Sequence, residues 1–151
     1  MLAVRFSRGS GLAGFGVRLV TWSAFAHVGL RLPDGTVWDS TPEFGVSFRR
    51  AVDDADTRYF QIAGLTEKVA QRMLDAASVM VGQPYDFTGA AGVLFHRDWR
   101  RDGSWDCSEA VQHVTTVAGL PLLRPEAAVR LSRITPRDLL LSPLLWETSQ
   151  S

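Results

Sequence analysis

Apolar and polar positions change period along this chain, and the changes divide it into a strand-rich first part and a helix-rich remainder. Leu2 to Phe6 alternates weakly and predicts a short strand. Ser7 to Gly16 is rich in Gly and Ser, which predicts a loop leading into a short helix near Val17 to Trp22. Ala26 to Leu32 has strand composition, and so does Thr36 to Ser40. Between them, Pro33-Asp34-Gly35 suits a type I turn closed by a left-handed glycine, a three-residue hairpin loop. Gly45 to Arg49 and Arg58 to Ala63 predict two further strands, with Asp53-Asp54-Ala55-Asp56 as the turn between them. Together these strands predict one antiparallel sheet.

The period then lengthens. Thr66 is placed to cap a helix running to about Val81, with Val69, Met73, Ala76 and Met80 at helical spacing and Lys68, Arg72 and Asp75 elsewhere on the wheel. Gly82-Gln83-Pro84 ends it. A loop containing Gly89, Gly92 and Gly103 follows, and a second helix is predicted from near Asp106 to about Ala118. Thr135-Pro136 reads as the cap and first position of a last short helix. No internal repeat or linker interrupts the pattern, so residues 1–151 read as a single α+β domain.

Composition narrows the function classes. Lys+Arg and Asp+Glu both number 16, so the chain lacks the basic excess of a phosphate-binding surface, and nucleic acid is not an expected partner. The runs Arg49-Arg50 and Arg97 with Arg100-Arg101 are interleaved with Asp53, Asp54, Asp98 and Asp102, and read as solvated surface. One cysteine rules out an internal disulfide and fits a reducing compartment. Arg5, Arg8 and Arg18 break the apolar stretch that a signal peptide would need, and no run approaches a membrane span of roughly 18 apolar residues. The chain therefore reads as cytoplasmic, with no membrane span.

The candidate chemistry lies in Asp106-Cys107-Ser108-Glu109. It places Cys107 in the first turn of a helix, where unpaired N–H groups favour a thiolate, with Asp106 as N-cap and Glu109 three residues later. The backbone N–H of Cys107 would be free to donate to an oxyanion. Cys107, Ala110, Val111, Val114 and Ala118 also form one helical stripe, as they would around a buried, inert cysteine. Helical spacing does not separate the two readings. His27 adds a second element. If the hairpin pairs Leu32 with Thr36, Gly29 opposes Asp39, and His27 and Asp39 share a sheet face as diagonal neighbours about 7–8 Å apart along the backbone. A carboxylate there can orient the imidazole as in a triad, although such pairs also occur as structural hydrogen bonds. A two-residue turn would instead send Asp39 to the opposite face. No metal is expected, because Cys107, His27, His96 and His113 show no ligand spacing. His96 and His113 read as bystanders, Trp99 and Trp105 as packing or a groove wall, and Leu139 to Leu145 with Trp146 as core or a docking edge.

These blocks resemble a known family. His27-Val28-Gly29-Leu30, the turn, Val37-Trp38-Asp39-Ser40, Gly45-Val46, then Gly82-x-Pro84-Tyr85-Asp86 and Cys107-Ser108-Glu109-x-Val111 look like the permuted branch of the NlpC-type cysteine peptidases. These are YiiX-like proteins related to lecithin:retinol acyltransferase, in which the histidine precedes the cysteine. The resemblance spans Phe6 to Val117. It implies a circularly permuted papain-like fold, with an antiparallel sheet packed against helices that include the cysteine-bearing one. It also implies Cys107 as nucleophile, His27 as general base and Asp39 as the third, polar member, a position commonly held by Glu in that branch. Tyr85 matches a tyrosine near the nucleophile that helps bind substrate or the oxyanion. Asp106 and Ser108 match flanking residues that help hold a substrate's free amine in cell-wall peptidases. Glu109 departs from the small residue usual there. The expected activity is thiol hydrolysis of an amide in a peptide or cell-wall peptide, without a cofactor. Acyl transfer or lipid hydrolysis, and a non-catalytic phage or envelope assembly module, stand as alternatives. Phage delivery or another export route would bring such an enzyme to a cell wall.

Overall fold

The alternating segments form strands β1 (Ala3–Ser7), β2 (His27–Arg31), β3 (Thr36–Thr41), β4 (Gly45–Arg50), β5 (Arg58–Ile62) and β6 (Leu145–Glu147). The helices are α1 (Glu67–Met80), α2 (Cys107–Val117), α3 (Pro125–Arg130) and α4 (Pro136–Leu140). The computed structural model describes residues 1–8, 23–50, 52–86, 104–130 and 134–148, apart from the side chains of 129 and 130. The helix expected near Val17 to Trp22, the glycines Gly89, Gly92 and Gly103, and His96, Arg97, Trp99, Arg100 and Arg101 lie outside the described residues.

The six strands make one antiparallel sheet in the order β4-β3-β2-β1-β5-β6. One face supplies Val4, Phe6, Val28, Leu30, Trp38 and Val46 to a core completed by Met73, Ala77 and Met80 of α1 and by Cys107, Ala110, Val111 and Val114 of α2. Trp38 is fully buried, and its indole N–H donates to the Ala77 carbonyl at 3.1 Å. That bond satisfies the indole's only polar atom and ties the middle of the sheet to α1. The buried stripe of α1 is Met73, Ala77 and Met80, with Ala76 only half-buried, one position away from the expected stripe.

Each predicted cap is present. Thr66 accepts from the Val69 N–H, Asp106 caps α2, and Thr135 with Asp138 forms a capping box ahead of Pro136. The β2–β3 hairpin has the expected register, with Leu30 opposite Trp38 and Arg31 opposite Val37. The Leu32 N–H donates to the Thr36 carbonyl at 2.8 Å, and Gly35 closes the turn at φ 85°.

The opposite sheet face is polar. Arg5 on β1 is only 3% exposed; its Nε lies 2.9 Å from Asp53 Oδ1 and its Nη2 donates to the Val52 carbonyl at 3.1 Å. Asp53 also accepts from the Tyr59 hydroxyl, and the Arg31 guanidinium lies 4.7 Å above the Tyr59 ring. This arginine is buried because its charge and donors are met, as burial of a guanidinium requires.

Gly29, on the same face as Val37 and Asp39, has no room for a side chain. A Cβ there would stand 2.8 Å from the Trp38 carbonyl oxygen and 3.0 Å from Asp39 Cβ. Gly29→Ala must therefore push β2 and β3 apart beside Asp39. We expect it to destabilise the fold by about 1–3 kcal/mol, read as a lower denaturant midpoint with an unchanged m-value.

Candidate active site

Three neighbouring strands and one helix start bring the site together. Asp106, the residue before α2, accepts the Ser108 and Glu109 N–H groups on Oδ1 at 2.8 and 2.9 Å. It thereby fixes the first turn on which Cys107 sits. The N–H of Cys107, the first residue of the helix, is not among those the Asp106 side chain takes. Cys107 is 7% exposed and belongs to the core cluster, so the buried stripe inferred from the sequence is real, and the sulfur sits at its end. Ser108 is 1% exposed, with its Oγ 3.8 Å from the sulfur.

A neck of backbone bonds holds this helix start in place. Trp105 N–H donates to the Pro84 carbonyl at 3.1 Å, and Asp86 N–H donates to the Trp105 carbonyl at 3.2 Å, with Tyr85 bridged to Trp105 in parallel. The Ser40 hydroxyl at the end of β3 donates to the same Trp105 carbonyl at 2.7 Å. Tyr85 is thus paired to a residue two positions before Cys107. Upstream, Val46 of β4 exchanges backbone bonds of 2.9 Å with Gln83 and Gly82. The Trp105 indole donates to the Gln83 side chain, and its ring lies 4.7 Å from that of His113 at a tilt of 45°. His113 therefore packs against the residue two positions before Cys107.

His27 opens β2, and its Nε2 donates to Asp39 Oδ2 at 2.8 Å, as the shared sheet face led us to expect. With Nε2 committed to Asp39, Nδ1 is the ring nitrogen left for a second partner. Burial alone would make the imidazole less basic. The charge of an ionised Cys107, then the bond to Asp39, the nearness of the Cys107 sulfur and the Asp39 charge outweigh burial and raise the His27 pKa to about 9. His27 is thus bonded to Asp39 and lies close enough to Cys107 for their charges to interact.

The sequence reading missed one residue here. Arg49 was expected in solvent. Instead, its side chain is only 30% exposed; its Nε donates to Asp39 Oδ1 at 3.1 Å and its Nη2 to Oδ2 at 2.7 Å. The cause is the β3–β4 register, which pairs Val37 with Arg49 and Asp39 with Ser47, so Arg49 becomes the diagonal neighbour of Asp39. Asp39 is fully buried. Burial works against its charged form, yet the bond and charge of His27, followed by those of Arg49, hold its carboxyl below the usual carboxylate range.

These features define an α+β protein with a six-stranded antiparallel sheet and a thiol, an imidazole and a carboxylate gathered where a helix begins against the sheet. Among solved structures, YiiX from Escherichia coli O157:H7 has the same fold, with a TM-score of 0.75 over 99% of this chain and 96% of that one, at 16% identity. No protein-family model and no curated protein matches the sequence. YiiX is described as a metalloprotein. In this chain, no group of three or more His, Cys, Asp or Glu among the described residues is arranged to hold a metal. The nearest donor set, Cys107, His27 and Asp39, does not fit a cation well, because Arg49 and His27 already occupy both oxygens of Asp39. No helix among the described residues is long and apolar enough to cross a membrane.

Proposed function

We propose that this protein is a cysteine hydrolase of permuted papain-like, NlpC-type architecture, acting on an amide bond of a peptide or cell-wall peptide. The observation that supports it best is the alignment of Cys107, His27 and Asp39, with His27 Nε2 held 2.8 Å from a fully buried carboxylate. A carboxylate there selects the tautomer and stabilises the imidazolium, the role of the third member of a triad. His27 takes the Cys107 proton, and the thiolate attacks the substrate carbonyl carbon. The tetrahedral oxyanion forms beside the Cys107 N–H, which Asp106 leaves unclaimed. As that intermediate collapses, the C–N bond breaks and His27 returns its proton to the leaving amine. A water molecule, deprotonated by His27, then hydrolyses the thioester and regenerates the thiol.

Reactivity of the thiol tests this without a known substrate. At pH 6 a free thiol is almost wholly protonated. The wild type should then be alkylated by iodoacetamide at least about tenfold faster than His27→Ala. Equal rates would show that His27 does not activate Cys107, and the hydrolase reading would fall. Incubation with muropeptides and, separately, phospholipid micelles, followed by product mass spectrometry, separates amide cleavage from acyl-lipid chemistry.

A further inference from the structure

We propose that Arg49 is a positioning residue of this site, a fourth member that fixes the Asp39 carboxylate and shares its charge before His27 meets it. The role of the site rests on the hydrolase reading; the electrostatic effect on His27 can be tested independently.

The sheet order places the residues in line. Arg49 comes from β4, Asp39 from β3 and His27 from β2, and these three strands are neighbours. A buried carboxylate with one imidazole partner can turn about its Cβ–Cγ bond and exchange oxygens. The Arg49 fork removes that freedom by bonding both oxygens at 3.1 and 2.7 Å, which holds Oδ2 toward His27. Oδ2 accepts from both Arg49 and His27, so the imidazolium faces a partly neutralised anion. A cation behind Asp39 keeps the imidazole from holding its proton too tightly to pass it to a leaving amine.

Among the described residues, few other charges reach His27. On β3 there is Asp39, at the start of α2 there is Cys107, and behind Asp39 there is Arg49. On β1, Ser7 opposes His27, and Arg5 donates to the Ser7 hydroxyl at 3.3 Å while paired with Asp53.

The test is the titration of the His27 ring by NMR, assigned with His27→Gln. Arg49→Met removes the cation, and the His27 midpoint should rise by about one pH unit. Arg49→Lys keeps the charge but loses the fork, and the midpoint should stay near that of the wild type. In an Asp39→Asn background, Arg49→Met should have little effect, because the coupling runs through the carboxylate. An unchanged or lower midpoint in Arg49→Met, or an equal rise in the Asp39→Asn background, would overturn the inference. If Arg49→Met does not fold, Arg49→Gln takes its place with the same expected rise. If His27→Ala leaves alkylation untouched while Arg49→Met still moves the midpoint, the hydrolase reading fails and the role of Arg49 toward Asp39 stands.

Discussion

Asp39→Ala should lower the unfolding free energy by about 3–5 kcal/mol at neutral pH, measured by denaturant titration. The side chain is fully buried and accepts three hydrogen bonds, one from His27 and two from Arg49. Truncation leaves a guanidinium with no counter-charge and a protonated imidazole whose Nε2 has lost its acceptor. Breaking a buried pair from one side is expensive for this reason, since the remaining charge stays desolvated. Arg49 retains 30% side-chain exposure, so solvent relieves part of the loss and the lower end of the range is expected. Asp39→Asn preserves the shape and one acceptor oxygen and should fall between wild type and Asp39→Ala. A loss below about 1 kcal/mol in Asp39→Ala would mean that the Arg49–Asp39–His27 line is an exposed surface pair in energetic terms.

The second large effect is a pH dependence of stability. The His27 pKa is raised from an ordinary 6.5 to about 9 in the folded chain. A group whose pKa is raised on folding stabilises the fold fully below its unfolded value and loses that contribution as the pH climbs through the folded one. Relative to His27→Gln, the wild type should therefore lose up to about 3 kcal/mol between pH 6.5 and 9. Asp39 behaves in the opposite sense: its carboxyl is held below the ordinary value, so its contribution disappears only under acidic conditions. Because the charge of Cys107 is the largest of the raising influences on His27, Cys107→Ser should weaken the loss and lower the NMR midpoint of His27. A wild-type stability profile parallel to that of His27→Gln across this window would contradict the thiol–imidazole coupling.

What the sequence disclosed follows from the range of each signal. Pro33-Asp34-Gly35 fixes the hairpin within three residues, so the His27–Asp39 pair was legible from local chemistry. The Thr66, Asp106 and Thr135 caps were equally local, since each acts on N–H groups two or three residues away. Arg49 was not legible. Its partner lies ten positions away across a hairpin whose turn carries no comparable signature, and adjacent arginines among aspartates look like solvated surface. Arg5 posed the same difficulty, because its carboxylate partner Asp53 is 48 residues away. Strand β6 escaped because three residues, with Trp146 half-exposed, give too short a pattern to read. Helix α3 did have a signal, since Pro125 opens it and Glu126 follows in the first turn.

The paired backbones at Pro84–Asp86 and Trp105 carry one more implication. Pro84, Asp86 and Trp105 form what amounts to a clasp, closed just ahead of the nucleophile and riveted to the Ser40 hydroxyl. Because these bonds run between main-chain atoms, exchange of the Tyr85 or Trp105 side chain leaves in place the tie that holds the cysteine-bearing turn.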